Sequence, residues 1–232
     1  MKKESIMQQH ILITGGNKGI GLALTKLCLD AGFKVSVIAR DFDGFVYADA
    51  VNCVVYDLSN IAGIEAMVST LGRVDVLVNN AGVMYSLPYD AYPQEKVERM
   101  LKLNLETPVK LIELCAKAGV KRIVNNASIA GQIGHPDVWY GITKAGLINA
   151  TKSFAKIFAG KVVVNAVAPS PVETDMLETI PLERREAFLE TVVSGRFAKP
   201  EEIAQTIFWL VTEAPEYING TTIDINSGAY MR

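Results

Sequence analysis

The sequence predicts a doubly wound α/β fold: one parallel sheet of about seven strands with helices on both faces. Three observations lead there. Short β-branched runs alternate with longer stretches of helical periodicity from one end of the chain to the other. Those runs are near-continuous in Val, Ile and Leu instead of alternating with polar residues, as strands buried on both faces require. Finally, 232 residues of which 50% are hydrophobic can fill one large core without a second domain.

In chain order, the candidate strands are residues 10–14, 34–39, 52–56, 74–79, 122–126, 162–167 and 221–225. Between the first two, Ile20, Leu24, Leu27, Cys28 and Ala31 recur at helical spacing as one apolar stripe, which Gly32 can end. Cys28 therefore reads as core. After the third strand, Ser59 or Asn60 could cap a helix that buries Ile61, Ile64, Met67, Val68 and Leu71, with Gly72 past its end. A long helical stretch opens at Tyr140 and runs to about Phe158. Another begins at Pro200 or Glu201. The least regular region, 170–199, carries two prolines, a Met-Leu pair and clustered charge, and suits a mobile lid. No linker or repeat interrupts the pattern, so 1–232 reads as one domain.

Composition excludes several functions. With 23 basic and 25 acidic side chains the formal charge is -2, without the footprint of a nucleic-acid binder or a polybasic membrane-surface protein. Charged residues at 21% and a mean hydropathy of +0.22 exclude global disorder. The three cysteines, Cys28, Cys53 and Cys115, are widely spaced and offer neither a disulfide framework nor a CxxC metal site. With His10 and His135 as the only histidines, far apart, no transition-metal site is expected. The apolar run 11–14 is too short for a signal peptide and no window is long enough for a membrane span, so a cytoplasmic, reducing location is expected.

Chemistry enters at Thr14-Gly15-Gly16-Asn17-Lys18-Gly19-Ile20-Gly21, directly after a strand and before an amphipathic helix. Gly15, Gly19 and Gly21 would let the backbone turn sharply and approach a pyrophosphate, which the partial positive charge of the helix N-terminus attracts. An ordinary strand-to-helix loop is the alternative. Further on, Tyr140 and Lys144 stand at i and i+4, on one face if helical. About half of one such match is expected by chance, and Tyr92 with Lys96 is a second. Tyr92 precedes Pro93, which disfavours helix there, whereas Tyr140 opens a helical stretch. A nearby ammonium would favour phenolate and bring Tyr140 toward working range as a proton shuttle. Ser128, at a strand end twelve residues earlier, could hydrogen-bond a carbonyl oxygen gaining charge, or serve only as a turn residue.

At this point the chain resembles the short-chain dehydrogenase/reductase family, in the branch of the 3-oxoacyl-acyl-carrier-protein reductases. The matching pieces run in the family's order: 14–21, Asp57-Leu58, Asn79-Asn80-Ala81-Gly82, Asn104, Ser128, Tyr140 with Lys144, 165–169 and Thr174. Asn219-Gly220 and residues 223–228 also look like the carrier-protein reductases. The resemblance implies a Rossmann-type fold and a catalytic set of Ser128, Tyr140, Lys144 and Asn104. In it, Tyr140 exchanges the proton, Lys144 also holds the nicotinamide ribose, and Asn104 supports a water chain toward that lysine. Gly15, Asn17, Lys18, Gly19, Ile20 and Gly21 would hold the pyrophosphate end. Asp57 would accept from the adenine amino group beside Leu58, with Asn79, Asn80, Ala81 and Gly82 lining the cleft and Pro169, Val172 and Thr174 on its nicotinamide side. Helix capping for Asp57 and a local hydrogen bond for Asn104 stay open as alternatives.

Ala39 stands where NAD-preferring members carry an acidic residue, and Arg40 and Lys18 supply two cations for a 2'-phosphate, so NADP(H) is expected over NAD(H). Asp41 could reverse this by reaching the ribose. Ser170 replaces the glycine many members have, and the chain is trimmed around the second and third strands and before Val162. His135 and Pro136 could border the substrate, with a plain loop histidine as the simpler reading. The implied activity is a carbonyl reductase acting on a small-molecule or acyl-carrier-linked ketone, with the family's homotetramer as the assembly. Lys121, Arg122, Lys161, Arg184 and Arg185 are candidates for meeting an acidic carrier. The alternatives are an alcohol, sugar or steroid dehydrogenase, and a non-catalytic NADP(H)-sensing regulator.

Overall fold

The computed structural model describes residues 9–231; the expectation about a signal peptide falls partly on residues 1–8, outside them. Seven strands, all paired in parallel, form one sheet in the order β3-β2-β1-β4-β5-β6-β7. They are β1 (His10–Thr14), β2 (Lys34–Ala39), β3 (Asn52–Val55), β4 (Val76–Asn79), β5 (Arg122–Asn126), β6 (Val163–Pro169) and β7 (Thr222–Ile225). The helices are α1 (Gly19–Asp30), α2 (Ile64–Ser69), α3 (Gln94–Leu101), α4 (Thr107–Lys117), α5 (Val138–Phe158), α6 (Leu182–Leu189) and α7 (Pro200–Thr212).

Alternation along each strand divides the apolar residues between two cores. Ile11, Ile13, Val35 and Val37 face α1 and α7, meeting Leu24, Cys28, Ile203 and Ile207. Leu12, Ile38 and Ile123 face the other way, onto Leu111, Ile112 and Cys115 of α4. Both faces are thus covered, which is why the strands read as continuous apolar runs. No described helix is long and apolar enough to cross a membrane.

Two local expectations change. Neither Ser59 nor Asn60 caps a helix with its side chain; Ile61–Gly63 form a 3-10 turn and α2 starts only at Ile64. The reason is Asp57, whose Oδ1 accepts both the Ser59 amide (2.9 Å) and the Ser59 hydroxyl (2.7 Å), so a local turn takes the groups a cap would use. The trimming near the second strand leaves β2 and β3 joined by turns instead of a helix, pinned by Phe45, which is buried and in ring contact with Phe42 and Tyr47.

Candidate active site

In this strand order the winding of successive strands reverses between the neighbours β1 and β4, the point where the connections that follow parallel strands leave a crevice at their C-terminal ends. A cleft of about 580 Å3 opens there, and its walls are the residues that follow the strands: Gly15 after β1, Arg40 after β2, Asp57 after β3, Asn80 after β4, Ser128 after β5 and Ser170 after β6.

The glycine loop sits at its floor. Gly15 and Gly19 adopt left-handed φ of 64° and 51°, which glycine takes without strain. A side chain on Gly21 would put its Cβ 2.0 Å from the Gly15 carbonyl oxygen, so only glycine lets α1 start this close to the turn. Gly21 thus shapes the loop from behind, while Gly15, Asn17, Lys18, Gly19 and Ile20 line the cleft. The first turn of α1 has no side-chain cap and no acidic residue, so its amide groups face the cleft side with their partial positive charge uncompensated. This cradle fits a dinucleotide pyrophosphate. Asn80 fastens it: its Nδ2 donates to the carbonyls of Thr14 and Gly15, each at 3.1 Å, and its Oδ1 accepts from Asn126.

Of the segment 79–82 expected on the cleft wall, Asn80, Ala81 and Gly82 line it and Asn79 does not. Successive strand residues point to opposite sides; Asn79 turns inward to donate to Asn125 at 2.8 Å and does not line the cleft.

At the far end Ser128, Tyr140 and Lys144 come together. Tyr140 and Lys144 lie one turn apart on α5, and the Lys144 Nζ sits 5.6 Å from the centre of the Tyr140 ring. The Ser128 hydroxyl lies beside the Tyr140 phenol, where it favours the charged form, and accepts the Ala130 amide at 3.1 Å. The Lys144 ammonium donates to the Asn126 carbonyl at 2.7 Å. Burial dominates both titrations. It pushes the Tyr140 phenol up to about 12, against the opposing effect of Ser128, and the Lys144 ammonium down to about 8. The expected lowering of the tyrosine by its lysine is therefore absent in the protein alone, since desolvation acts against both charged forms. The second Tyr-x-x-x-Lys match does not pair: the Lys96 ammonium lies over the Tyr85 ring, 4.9 Å from its centre.

Asn104 is fully buried behind the cleft, in a π-type turn over Lys102–Glu106. Its Oδ1 accepts the Val83 amide and its Nδ2 donates to the Val83 carbonyl, both at 2.8 Å, with Thr143 at 3.2 Å. The side chain thus clamps the segment after β4 through partners far away in sequence, so it does not make the local hydrogen bond of the alternative. Leu58, Ala81, Gly82, Pro169, Val172 and Thr174 line the cleft as expected. Ser170 has no left-handed φ and its amide reaches the Ile225 carbonyl at 3.0 Å, so the missing glycine imposes no backbone strain.

Arg99, which the sequence did not point to, joins the wall together with His135 and two residues of the 170–199 segment. Arg99 of α3 reaches Asp57 (3.2 Å) and Ser59 (3.3 Å). His135 lines the substrate end with its ring 5.7 Å from that of Tyr140, so the plain-loop reading does not hold. Met176 and Ile180, from the 170–199 segment, pack against the cluster that contains Tyr140 and Met84 and roof this end. Of the basic candidates, Lys121, Arg122 and Lys161 sit at the N-terminal edge of β5 and β6, opposite the cleft, and Arg122 is used up on the carbonyls of Leu210 and Ala214. Arg184 and Arg185 alone among them lie on the cleft side, on α6. No cluster of His, Cys, Asp or Glu able to hold a metal occurs among the described residues.

Comparison with known proteins agrees with this geometry. A family profile described as "Enoyl-(Acyl carrier protein) reductase" matches residues 15–230. The 3-oxoacyl-[acyl-carrier-protein] reductase FabG of Thermotoga maritima is 34% identical, over 94% of this chain and 96% of that protein. Among solved structures, 4-hydroxyisoleucine dehydrogenase complexed with NADH is 26% identical with a TM-score of 0.85, covering 95% of this chain and 98% of that one. ElxO with NADP bound matches with the same identity of 26%, TM-score of 0.85 and coverage of 95% and 98%.

Proposed function

Because this chain belongs to the short-chain dehydrogenase/reductase family, we propose that it is an NADP(H)-dependent carbonyl reductase acting on 3-oxoacyl groups carried as thioesters. The observation that carries this reading is the meeting of Ser128, Tyr140 and Lys144 at one end of a cleft whose other end is an uncapped helix N-terminus behind a glycine turn.

The reduced nicotinamide supplies the hydride when bound. The chain's own residues do the rest. Ser128 and Tyr140 stand side by side at this end of the cleft, so a substrate oxygen that enters between them meets two hydroxyl donors. As the carbonyl carbon is reduced, the Tyr140 O–H bond breaks and its proton passes to the oxygen, giving the alcohol. The phenolate left behind is stabilised by the Ser128 hydroxyl and by the Lys144 ammonium. Burial keeps the phenol protonated at neutral pH in the protein alone, so the acid form that reduction needs is the one present. In the oxidative direction Tyr140 is the base.

Asp57 and Leu58 would hold the adenine, Lys144 and Tyr140 the nicotinamide ribose, and Pro169, Val172 and Thr174 the nicotinamide side. Arg40 and Lys18 form no ion pair among the described residues and line the same end of the cleft, which suits a 2'-phosphate. The family profile names an enoyl reductase and the curated relatives a 3-oxoacyl reductase. We follow the second, since two hydroxyls converging on one point serve a carbonyl oxygen. Residues 170–199 act as the lid, the cysteines stay reduced in the cytoplasm, and the assembly is a homotetramer.

The likeness to 4-hydroxyisoleucine dehydrogenase favours a second reading, a dehydrogenase of small hydroxylated substrates. Following NADPH and NADH oxidation with a 3-oxoacyl thioester and with free small ketones separates the two. Turnover with NADPH on the thioester is expected; activity confined to NADH or to free ketones would move the assignment to the second reading. Tight NADPH binding with no turnover on any substrate would leave a sensor.

A further inference from the structure

We propose that His135 sets substrate choice by donating from Nε2 to a second carbonyl oxygen, favouring ketones that carry another carbonyl one methylene away. This deepens the carbonyl-reductase reading above and rests on it. His135 lines the substrate end of the cleft, where Met84, Met176 and Ile180 make the surrounding wall apolar. Its ring lies 5.7 Å from that of Tyr140, centre to centre. A side chain on Gly141 would bring its Cβ to 3.3 Å from the His135 Cβ and 3.2 Å from the Ala130 carbonyl oxygen. The glycine after Tyr140 thus lets this loop press against α5.

The backbone decides which ring nitrogen is left over. Nδ1 lies 3.1 Å from both the amide nitrogen and the carbonyl oxygen of Asp137. That carbonyl already accepts the Gly141 amide at 3.0 Å, whereas the Asp137 amide, in a fully buried residue, has no other described acceptor. Nδ1 therefore accepts, since a buried amide without a partner is the costlier outcome. Burial pushes the imidazole below its ordinary range and the Arg184 guanidinium acts in the same direction, so the ring is neutral at neutral pH. A neutral ring with its lone pair on Nδ1 carries its proton on Nε2. Nε2 itself makes no hydrogen bond among the described residues. With the reacting oxygen between Ser128 and Tyr140, this donor beside the Tyr140 ring suits a second oxygen on the same substrate. A 3-oxoacyl thioester has one, its two carbonyl carbons being separated by a single methylene; a simple ketone has none.

The test is steady-state turnover of the intact protein on a 3-oxobutanoyl thioester and on the matched thioether ketone, in which a methylene replaces the thioester carbonyl. His135→Asn keeps an acceptor for the amide two residues on but lacks the far nitrogen. In this variant the ratio of kcat/KM for thioester over thioether should fall about tenfold. His135→Gln, whose side-chain amide can place a donor near the Nε2 position, should recover part of that ratio. If His135→Asn does not fold, His135→Ser, which makes the same turn more weakly, should show the same fall. A ratio unchanged by these substitutions would overturn the proposal while leaving the reductase reading intact. Wild type that turns over neither ketone with NADPH or NADH would overturn both.

Discussion

The Lys144 ammonium, buried at the cleft wall, donates to the carbonyl of Asn126 at 2.7 Å. Asn126 ends β5 and also gives its side-chain Nδ2 to Asn80, which in turn holds the carbonyls of Thr14 and Gly15. One chain of hydrogen bonds thus runs from the Tyr140 and Lys144 end of the cleft to the glycine turn. Helix α5 and the glycine turn are set against each other by the polar ends of three neighbouring strands, β1, β4 and β5.

The buried ammonium gives a pH signature. Burial lowers Lys144 from an ordinary 10.5 to about 8, so between these values the unfolded chain binds more protons than the folded one. Lys144 therefore adds to stability as pH rises through that window and costs stability below it. Denaturation of the ligand-free protein from pH 7.5 to 10 (about the span of the shift) should show a rising contribution in wild type that is missing in Lys144→Met. A difference between the two proteins that stays flat with pH would contradict the buried charge.

Tyr140 and Ser128 should separate binding from chemistry. Tyr140→Phe removes only the hydroxyl, so NADPH affinity should stay within about twofold while kcat falls by about 10³-fold or more. Ser128→Ala should lower kcat about 10²-fold with a smaller change in cofactor affinity. Stopped-flow turnover with a 3-oxoacyl thioester, alongside NADPH titration, reads both; residual turnover of Tyr140→Phe near wild type would remove Tyr140 from the proton step.

Cofactor choice should lie with Arg40. It is exposed at the end of β2 and lines the cleft. Arg40→Gln should lower the kcat/KM ratio of NADPH to NADH about tenfold by weakening NADPH alone. Asp41 lines the same wall and offers its backbone carbonyl to Asn17 at 2.9 Å. If Asp41→Asn instead shifts the ratio toward NADPH and Arg40→Gln leaves it unchanged, the ribose contact belongs to the carboxylate.

The sheet, the glycine turn and the pairing of Tyr140 with Lys144 were legible because each depends on spacing along the chain. Short continuous β-branched runs announce strands buried on both faces, and an i, i+4 pair on a helix is a neighbour pair wherever that helix goes. What stayed hidden depends on how separate segments meet. Arg99 is a polar residue on a short surface helix until α3 packs beside the turn that holds Asp57. His135 looks like a loop residue until its loop folds over Tyr140. The choice between Asn79 and Asn80 turns on a one-residue register at the end of β4, and the fate of Ser59 on whether Asp57 claims its amide first. The pKa of Tyr140 was misjudged for a related reason: the neighbouring charge is written in the sequence, whereas its burial is not.

Asp137 ties the catalytic helix to the segment after β4, and its loss should be felt in both stability and turnover. The carboxylate is fully buried; one oxygen accepts the Tyr140 amide at 3.1 Å as the N-cap of α5, and the other accepts the Ser86 amide at 3.0 Å. Ser86 holds a left-handed φ of 54°, a strained conformation for serine that the bond to Asp137 helps to maintain. Asp137→Ala removes the cap and leaves two buried amides without a partner, which should cost about 2–4 kcal/mol. Asp137→Ser restores a capping hydroxyl for Tyr140 but is too short for Ser86, and should recover about 1 kcal/mol of this. Since Tyr140 lies in the first turn behind the cap, kcat measured well below the unfolding transition should follow the same order: wild type, then serine, then alanine. Chemical denaturation of the three proteins gives the first ranking and steady-state turnover the second. Should the serine variant match alanine in both, the cap at Tyr140 contributes nothing and the bond to Ser86 carries the whole effect.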